Sequence, residues 1–152
     1  NMLCNFEGIE MLPHLEKLLA SHNEIIDIQS IGALSRLTVL DLSFNKLNDG
    51  SRVRELVAKS KKLSSLMLHG NGMTAQVKHY RKTVIFENKL LKFLDEYPVF
   101  DDERRCAEAF VTGGITGERE MREKIRLEEV ERQRKQRQFF DDLVFTAKKR
   151  HQ

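Results

Sequence analysis

The chain has no tryptophan, and only two cysteines, two prolines and two tyrosines among its 152 residues. Cys4 and Cys106 lie in separate segments with no spacing that suggests a metal site or a redox pair, so both are expected as buried free thiols of a reducing compartment. No apolar run approaches the roughly 18 residues needed to cross a bilayer, and no targeting segment is visible. Charge of one sign is equally scarce. Residues 1–116 carry 15 Lys or Arg against 15 Asp or Glu, and residues 117–152 carry 11 against 8, so the whole excess of +3 lies in the last segment. That balance offers no clustered basic stretch of the kind nucleic acid requires.

Catalytic equipment is missing as well. Gly113-Gly114-Ile115-Thr116-Gly117 superficially suggests a phosphate loop, but no Gly-Lys-Ser/Thr follows; it reads as a hinge, with Thr116 capping the next helix. His14, His22, His69, His79 and His151 show no ligand spacing and are expected at the surface. No serine sits in a nucleophile motif, and the carboxylates are interleaved with basic residues as a solvated surface requires. The expectation is a non-enzymatic chain without catalytic residues, metal or cofactor.

What is present is a recurring asparagine. Asn23, Asn45 and Asn71 each close a stretch of the form Leu-x-x-Leu-x-(Leu/Ala)-x-x-Asn, beginning at Leu15, Leu37 and Leu63. This is the leucine-rich-repeat signature, with one short strand per turn of a solenoid and the strands forming a parallel sheet. The leucines point inward and stack on their counterparts, while the asparagine amide satisfies backbone groups buried at the turn that follows. Asn1 fits the same register, and a chain opening at a repeat-closing Asn suggests a fragment with repeats or a cap upstream. The predicted fold is therefore α/β, a leucine-rich-repeat solenoid over residues 1–73.

Beyond Asn45 the connection lengthens. Asn48-Asp49-Gly50 reads as a turn and Ser51 as an N-cap, with Val53, Leu56 and Val57 on one face of a helix from about Arg52 to Ser60. Thr74 is placed to cap a second helix from about Ala75 to Glu87, striped by Val77, Tyr80, Val84 and Ile85. A final strand, Leu90 to Asp95, completes the expected cap over residues 74–114. Such a cap seals the apolar end that every solenoid leaves open.

The stretch from Asn71 to Gly114 contains Tyr80-Arg81-Lys82-Thr83-Val84, Leu94-Asp95, Pro98-Val99-Phe100 and Arg105-Cys106-Ala107-Glu108-Ala109-Phe110 before Gly113-Gly114. It resembles the C-terminal cap of the leucine-rich-repeat dynein axonemal assembly factor family. The departures are Tyr97 for an arginine, Phe110 for a tryptophan, and Val111-Thr112 before the glycines. The resemblance implies a cytoplasmic adaptor for preassembly of axonemal dynein arms, serving the cilium or flagellum. Its implied partners are dynein chains, chaperones or co-assembly factors, with neither nucleic acid nor membrane bound. The repeats alone are shared with phosphatase regulators and a spliceosomal protein, so a scaffold or regulatory subunit of a phosphatase or ribonucleoprotein complex is the alternative.

Two surfaces are candidates for protein binding. Strand alternation sends Lys17, Leu19 and Ser21, then Val39, Asp41 and Ser43, then Ser65, Met67 and His69 away from the core, in columns across a concave face. Phe44 is expected to fill its turn. The other candidate lies in residues 115–152, expected as an extended helix in which Glu118 pairs with Arg122, Glu120 with Lys124, Glu128 with Arg132 and Glu131 with Lys135. Met121 and Ile125 begin a heptad seam that Glu128, Arg132 and Lys135 interrupt, which argues against an extended two-stranded coiled coil. Phe139, Phe140, Leu143 and Val144 then form an apolar group expected to dock on a partner or on a second copy through self-association. Folding back onto the solenoid is the competing expectation; the Lys148-Lys149-Arg150 run also admits a membrane-surface helix.

Overall fold

The computed structural model describes residues 2–150 of the chain. Three parallel strands, β1 (Lys17–Leu19), β2 (Val39–Asp41) and β3 (Ser65–Met67), come one from each repeat. They are followed by β4 (Phe93–Leu94), and the order in the sheet is the order in the chain. Their register puts Leu18 beside Leu40, Leu40 beside Leu66, and Leu66 beside Leu94. Leu40, Leu66 and Leu94 are buried and Leu18 is half-buried; the sixth-place residues Ala20, Leu42 and Leu68 are buried too, as are Leu37, Leu63 and Leu91 at the start of the motif. Stacking like on like is what a fixed repeat length produces, because each turn presents the same side chain at the same height.

The asparagine ladder is also in place. The Asn45 amide accepts a hydrogen bond from Ile25 N (3.1 Å) and donates to the carbonyls of Ala20 (2.9 Å), Leu42 (3.0 Å) and Ser43 (3.2 Å). Asn71 repeats this one turn later, accepting from Leu47 N and donating to Leu42 O and Leu68 O. The residue before each asparagine is left-handed: His22 (φ 55°), Phe44 (φ 54°) and Gly70 (φ 75°). Asn1 and His151 lie outside the described residues, so the reading of Asn1 as a repeat-closing position and of His151 as a surface residue falls there too.

Several local expectations are corrected. Helix α1 is Gly50–Lys59, and its N-cap is Asp49, whose carboxylate accepts from Ser51 N and Arg52 N; the sequence offered Ser51, but a carboxylate satisfies two amides at once. The single helix expected up to Glu87 is two, α2 (Gly72–Gln76) and α3 (Tyr80–Glu87), separated at His79, which turns left-handed (φ 52°). Thr74 donates its hydroxyl to Asn71 O and caps nothing new. The last strand is only two residues long. Asp95 and Glu96, both at positive φ (51° and 70°), reverse the chain into β5 (Tyr97–Pro98), antiparallel to β4. Cys106 is buried as expected, but Cys4 is exposed.

After β5 the chain is helical over Asp101–Arg150 except at Gly114 (φ 65°, ψ −156°), which divides it into α4 (101–113) and α5 (115–150). The break folds α5 back along α4. Close approach requires Gly117, where a Cβ would stand 2.6 Å from the Ala109 carbonyl oxygen. Thr116 forms no capping hydrogen bond among the described residues, so the hinge expected from the glycines exists without the cap expected from the threonine. The α5 helix is about 54 Å long at 1.5 Å per residue.

One carboxylate ties the start of α5 to α3, and a second ties α5 to α4. Glu118, only 7% exposed, accepts from Lys82 Nζ (2.6 Å) on α3 and from Arg122 (2.7 Å) on its own helix. Glu128 receives both terminal nitrogens of Arg105 on α4 (2.7 and 2.9 Å). The Lys82 and Arg122 hydrogen bonds hold the Glu118 carboxyl below its ordinary value of about 4.5, against the opposing effect of burial. A depressed carboxylate contributes stability that is whole above its unfolded pKa and lost as pH falls through the folded one. Amides of α5 near Glu118 should thus exchange faster in the native protein as the pH drops below about 4.5, once intrinsic rates are divided out. Glu118→Gln should abolish that acid dependence; an unchanged profile in the variant would contradict the assignment.

Candidate protein-binding surfaces

The parallel register sets the concave face residue by residue. Lys17, Val39, Ser65 and Phe93 form one column, and Leu19, Asp41 and Met67 the next. Leu19 is 70% exposed and Lys17 is exposed, while Val39, Asp41, Ser65 and Met67 are half-buried. Ser21, Ser43 and His69 follow at the strand ends, and here availability falls. Ser43 is buried, and both its hydroxyl (2.6 Å) and its backbone N (2.9 Å) donate to the Asp41 carboxylate, which is therefore partly occupied within its own repeat.

His69 is likewise drawn into the structure. Its backbone N donates to Asp95 Oδ1 (3.0 Å), as does Leu68 N (2.7 Å), so Asp95 fills in the cap the acceptor role that asparagine holds in the repeats. The other Asp95 oxygen accepts from the Tyr80 hydroxyl (2.8 Å). Burial, and then the neighbouring Asp95 charge, push the Tyr80 phenol far above its ordinary value of 10. Phe44, half-exposed, stacks on His22 (4.5 Å between centroids, 13° between planes) and meets the edge of His69 at 5.1 Å. Sequence reasoning put Phe44 in its turn; the ring also joins two histidines into an aromatic row beside the concave columns.

Phe93 is the surface residue that sequence reasoning missed. It is 49% exposed and pairs across the hairpin with Pro98, extending the first column with apolar surface. Reading Leu90 to Asp95 as a fourth strand with Leu91 and Leu94 inward would have placed Phe93 outward.

On α5 the ion pairs differ from expectation. Glu118–Arg122 (2.7 Å) and a long Glu131–Lys135 contact (3.9 Å) form, but Glu120 and Lys124 form no ion pair among the described residues, Glu128 turns to Arg105, and three further pairs are one residue closer: Glu123–Arg126, Glu129–Arg132 and Glu131–Arg134. A guanidinium reaches an i−3 carboxylate as readily as an i−4 one, so arginine-rich helices have both choices. Farther out, Phe139, Phe140, Leu143, Val144 and Phe145 are all about half or more exposed. Within one chain this group does not fold back onto the solenoid.

The family profile described as Leucine Rich repeats (2 copies) matches residues 13–51. The chain is 41% identical over 103 residues to the Leucine-rich repeat-containing protein ODA7 of Chlamydomonas reinhardtii, a match covering 68% of the chain and 24% of that protein. It is 42% identical over 97 residues to the human Dynein axonemal assembly factor 1, covering 64% of the chain and 13% of that protein. The chain thus spans a quarter or less of these relatives' length. Among solved structures, that of the Drosophila melanogaster SNF/U2A' complex superposes with a TM-score of 0.65 at 24% identity, covering 81% of the chain and 70% of that one, a likeness of fold. The chain is a leucine-rich-repeat solenoid, and the relatives it resembles in sequence are the dynein axonemal assembly factors.

Proposed function

We propose that the chain is a non-enzymatic protein-binding adaptor acting in the cytoplasmic preassembly of axonemal dynein arms for a cilium or flagellum. The observation that carries this reading is the concave face: Val39 and Phe93 in one column and Leu19 and Met67 in the next present apolar side chains, on a chain some 40% identical over about two thirds of its length to dynein axonemal assembly factors. Apolar surface aligned this way favours a macromolecular ligand over a small molecule. In this reading the repeats of residues 1–73 and the cap of 74–114 supply a rigid concave platform. The helix of residues 115–150 supplies a second contact through Phe139, Phe140, Leu143 and Val144, to a partner or to a second copy. The partners are axonemal dynein chains or the chaperones and co-assembly factors that handle them.

Affinity capture from a ciliated cell extract tests this directly. The tagged chain should retain axonemal dynein heavy or intermediate chains, and Leu19→Asp with Met67→Asp should reduce their recovery at least about tenfold, since each charge would have to be desolvated against an apolar partner. Recovery of a phosphatase catalytic subunit or a spliceosomal protein instead would replace the proposal with the scaffold alternative. Phe140→Asp with Val144→Asp should separately shift the sedimentation of the chain or its capture of partners. If neither moves, the α5 stripe has no docking role.

A further inference from the structure

The edge of the solenoid at the start of the strands carries a row of cations that the linear sequence conceals. Each repeat enters its strand through the same tight turn, closed by Leu15 N to Leu12 O, Leu37 N to Leu34 O, Leu63 N to Ser60 O, and Leu91 N to Asn88 O. Leu37, Leu63 and Leu91 are buried and Leu15 is half-buried, while the two corner residues of every turn are exposed: Pro13-His14, Ser35-Arg36, Lys61-Lys62 and Lys89-Leu90. Backbone bonds from Thr38 N to Glu16 O, Ser64 N to Thr38 O and Lys92 N to Ser64 O join the strand entries side by side. Lys17 and Lys92 stand just inside the same edge, both exposed.

Residues 12–17, 34–39, 60–65 and 88–93 together hold six Lys or Arg (Lys17, Arg36, Lys61, Lys62, Lys89, Lys92) against one carboxylate, Glu16. None of the six joins an ion pair among the described residues, whereas the α5 basic residues Arg122, Arg126, Arg132, Arg134 and Lys135 are paired. Neighbouring strands are about 4.8 Å apart, so four entries span about 15 Å, and adjacent charges fall within the roughly 8 Å screening length of physiological salt. Like charges held this close repel, and an anionic partner relieves that repulsion.

We infer that this edge is a binding surface for an acidic polypeptide segment of a partner protein. Carboxylates on one face of a helix recur every 5–6 Å or so, close to the strand spacing that sets the cation columns. Single-stranded nucleic acid fits less well, because it needs aromatic platforms for successive bases and these four segments supply only His14 and Phe93, at opposite ends of the row. A duplex would engage more phosphates than a 15 Å strip can reach.

The test uses the full chain, a fluorescent peptide of twelve mixed glutamates and aspartates, and a single-stranded oligonucleotide of equal charge, titrated at low and at physiological salt. The chain should bind the peptide more tightly than the oligonucleotide, and Arg36→Glu, Lys61→Glu, Lys62→Glu together should weaken peptide binding about tenfold or more. The matched change on α5, Arg132→Glu, Arg134→Glu, Lys135→Glu, should leave it within about twofold. Corner residues at solvent should not disturb folding, which circular dichroism checks; if the reversed variant fails to fold, the Gln substitutions at the same three positions must give the same ranking. Equal weakening by both triple variants, tighter binding of the oligonucleotide, or no peptide binding would each overturn the inference.

Discussion

Replacing Asn45 with alanine is expected to destabilise the chain by about 3 kcal/mol, the upper end for leaving buried polar groups without partners, because four backbone groups lose theirs at once. The amide joins three segments: it accepts from Ile25 N of the turn after the first repeat and donates to Ala20, Leu42 and Ser43 carbonyls of two neighbouring strands. Asn45 is buried, so water cannot substitute for the lost partners without opening the turn. For a chain of this size the loss corresponds to a fall of about 6–12 °C in melting temperature. Asn45→Asp is the informative companion. It keeps the acceptor for Ile25 N but sets a second oxygen against three carbonyls, so it should be no better than alanine at neutral pH and recover partly in acid, where the protonated carboxyl can donate again. A melting temperature for Asn45→Ala within 2 °C of the parent would mean the ladder is ornamental.

The repeats were legible because their signal is redundant. Leu18, Leu40 and Leu66 must fall in register if the interval between asparagines is constant in effect, and the longer third interval is absorbed by α1 on the convex side without disturbing the sheet. The concave columns followed from the same alternation. Local chemistry was less legible where two residues competed for one role. Asp49 and Ser51 are both good caps, and only the geometry of the turn selects the carboxylate. The left-handed His79 that splits α2 from α3 has no sequence signature, because histidine is an ordinary helix residue; at the break Tyr80 reaches Asp95 and His79 packs against Phe110 (4.5 Å).

The cap buries Val84, Ile85, Leu91, Leu94 and Ala107 in the core and adds a polar network around them. Tyr80 holds Asp95; Arg81 joins Glu103 to the Leu94 and Pro98 carbonyls (both 3.0 Å); Lys82 reaches Glu118 and lies over the Phe110 ring at 4.3 Å. Arg104 closes the end of α3 by donating to the Ile85 and Asn88 carbonyls (3.1 and 2.9 Å) and to Leu91 O. Each contact links segments 13 or more residues apart, so pattern reading along the chain could recognise the residues but not their pairings. The cationic edge escaped for the same reason: the turns that carry it, closing at Leu15, Leu37, Leu63 and Leu91, are 22 to 28 residues apart, and net charge averages them away.

Leu66→Ala should have the largest effect of any single apolar truncation, about 2–5 kcal/mol. Leu66 is 1% exposed, in the middle of the sheet, with Leu40 on one side and Leu94 on the other, so neither neighbour can close the cavity without leaving its own register. Leu18→Ala, at the half-buried first strand, should cost less, about 1–2 kcal/mol, because part of that side chain is already in solvent. A solenoid conveys such damage only through nearest neighbours. Hydrogen exchange should therefore show protection falling most in β2, β3 and β4 after Leu66→Ala, less in β1, and least in the distal half of α5, which touches no strand. Equal costs for the two truncations would mean the strands share one undivided core, and the cap would then be needed to fold the repeats as well as to seal them.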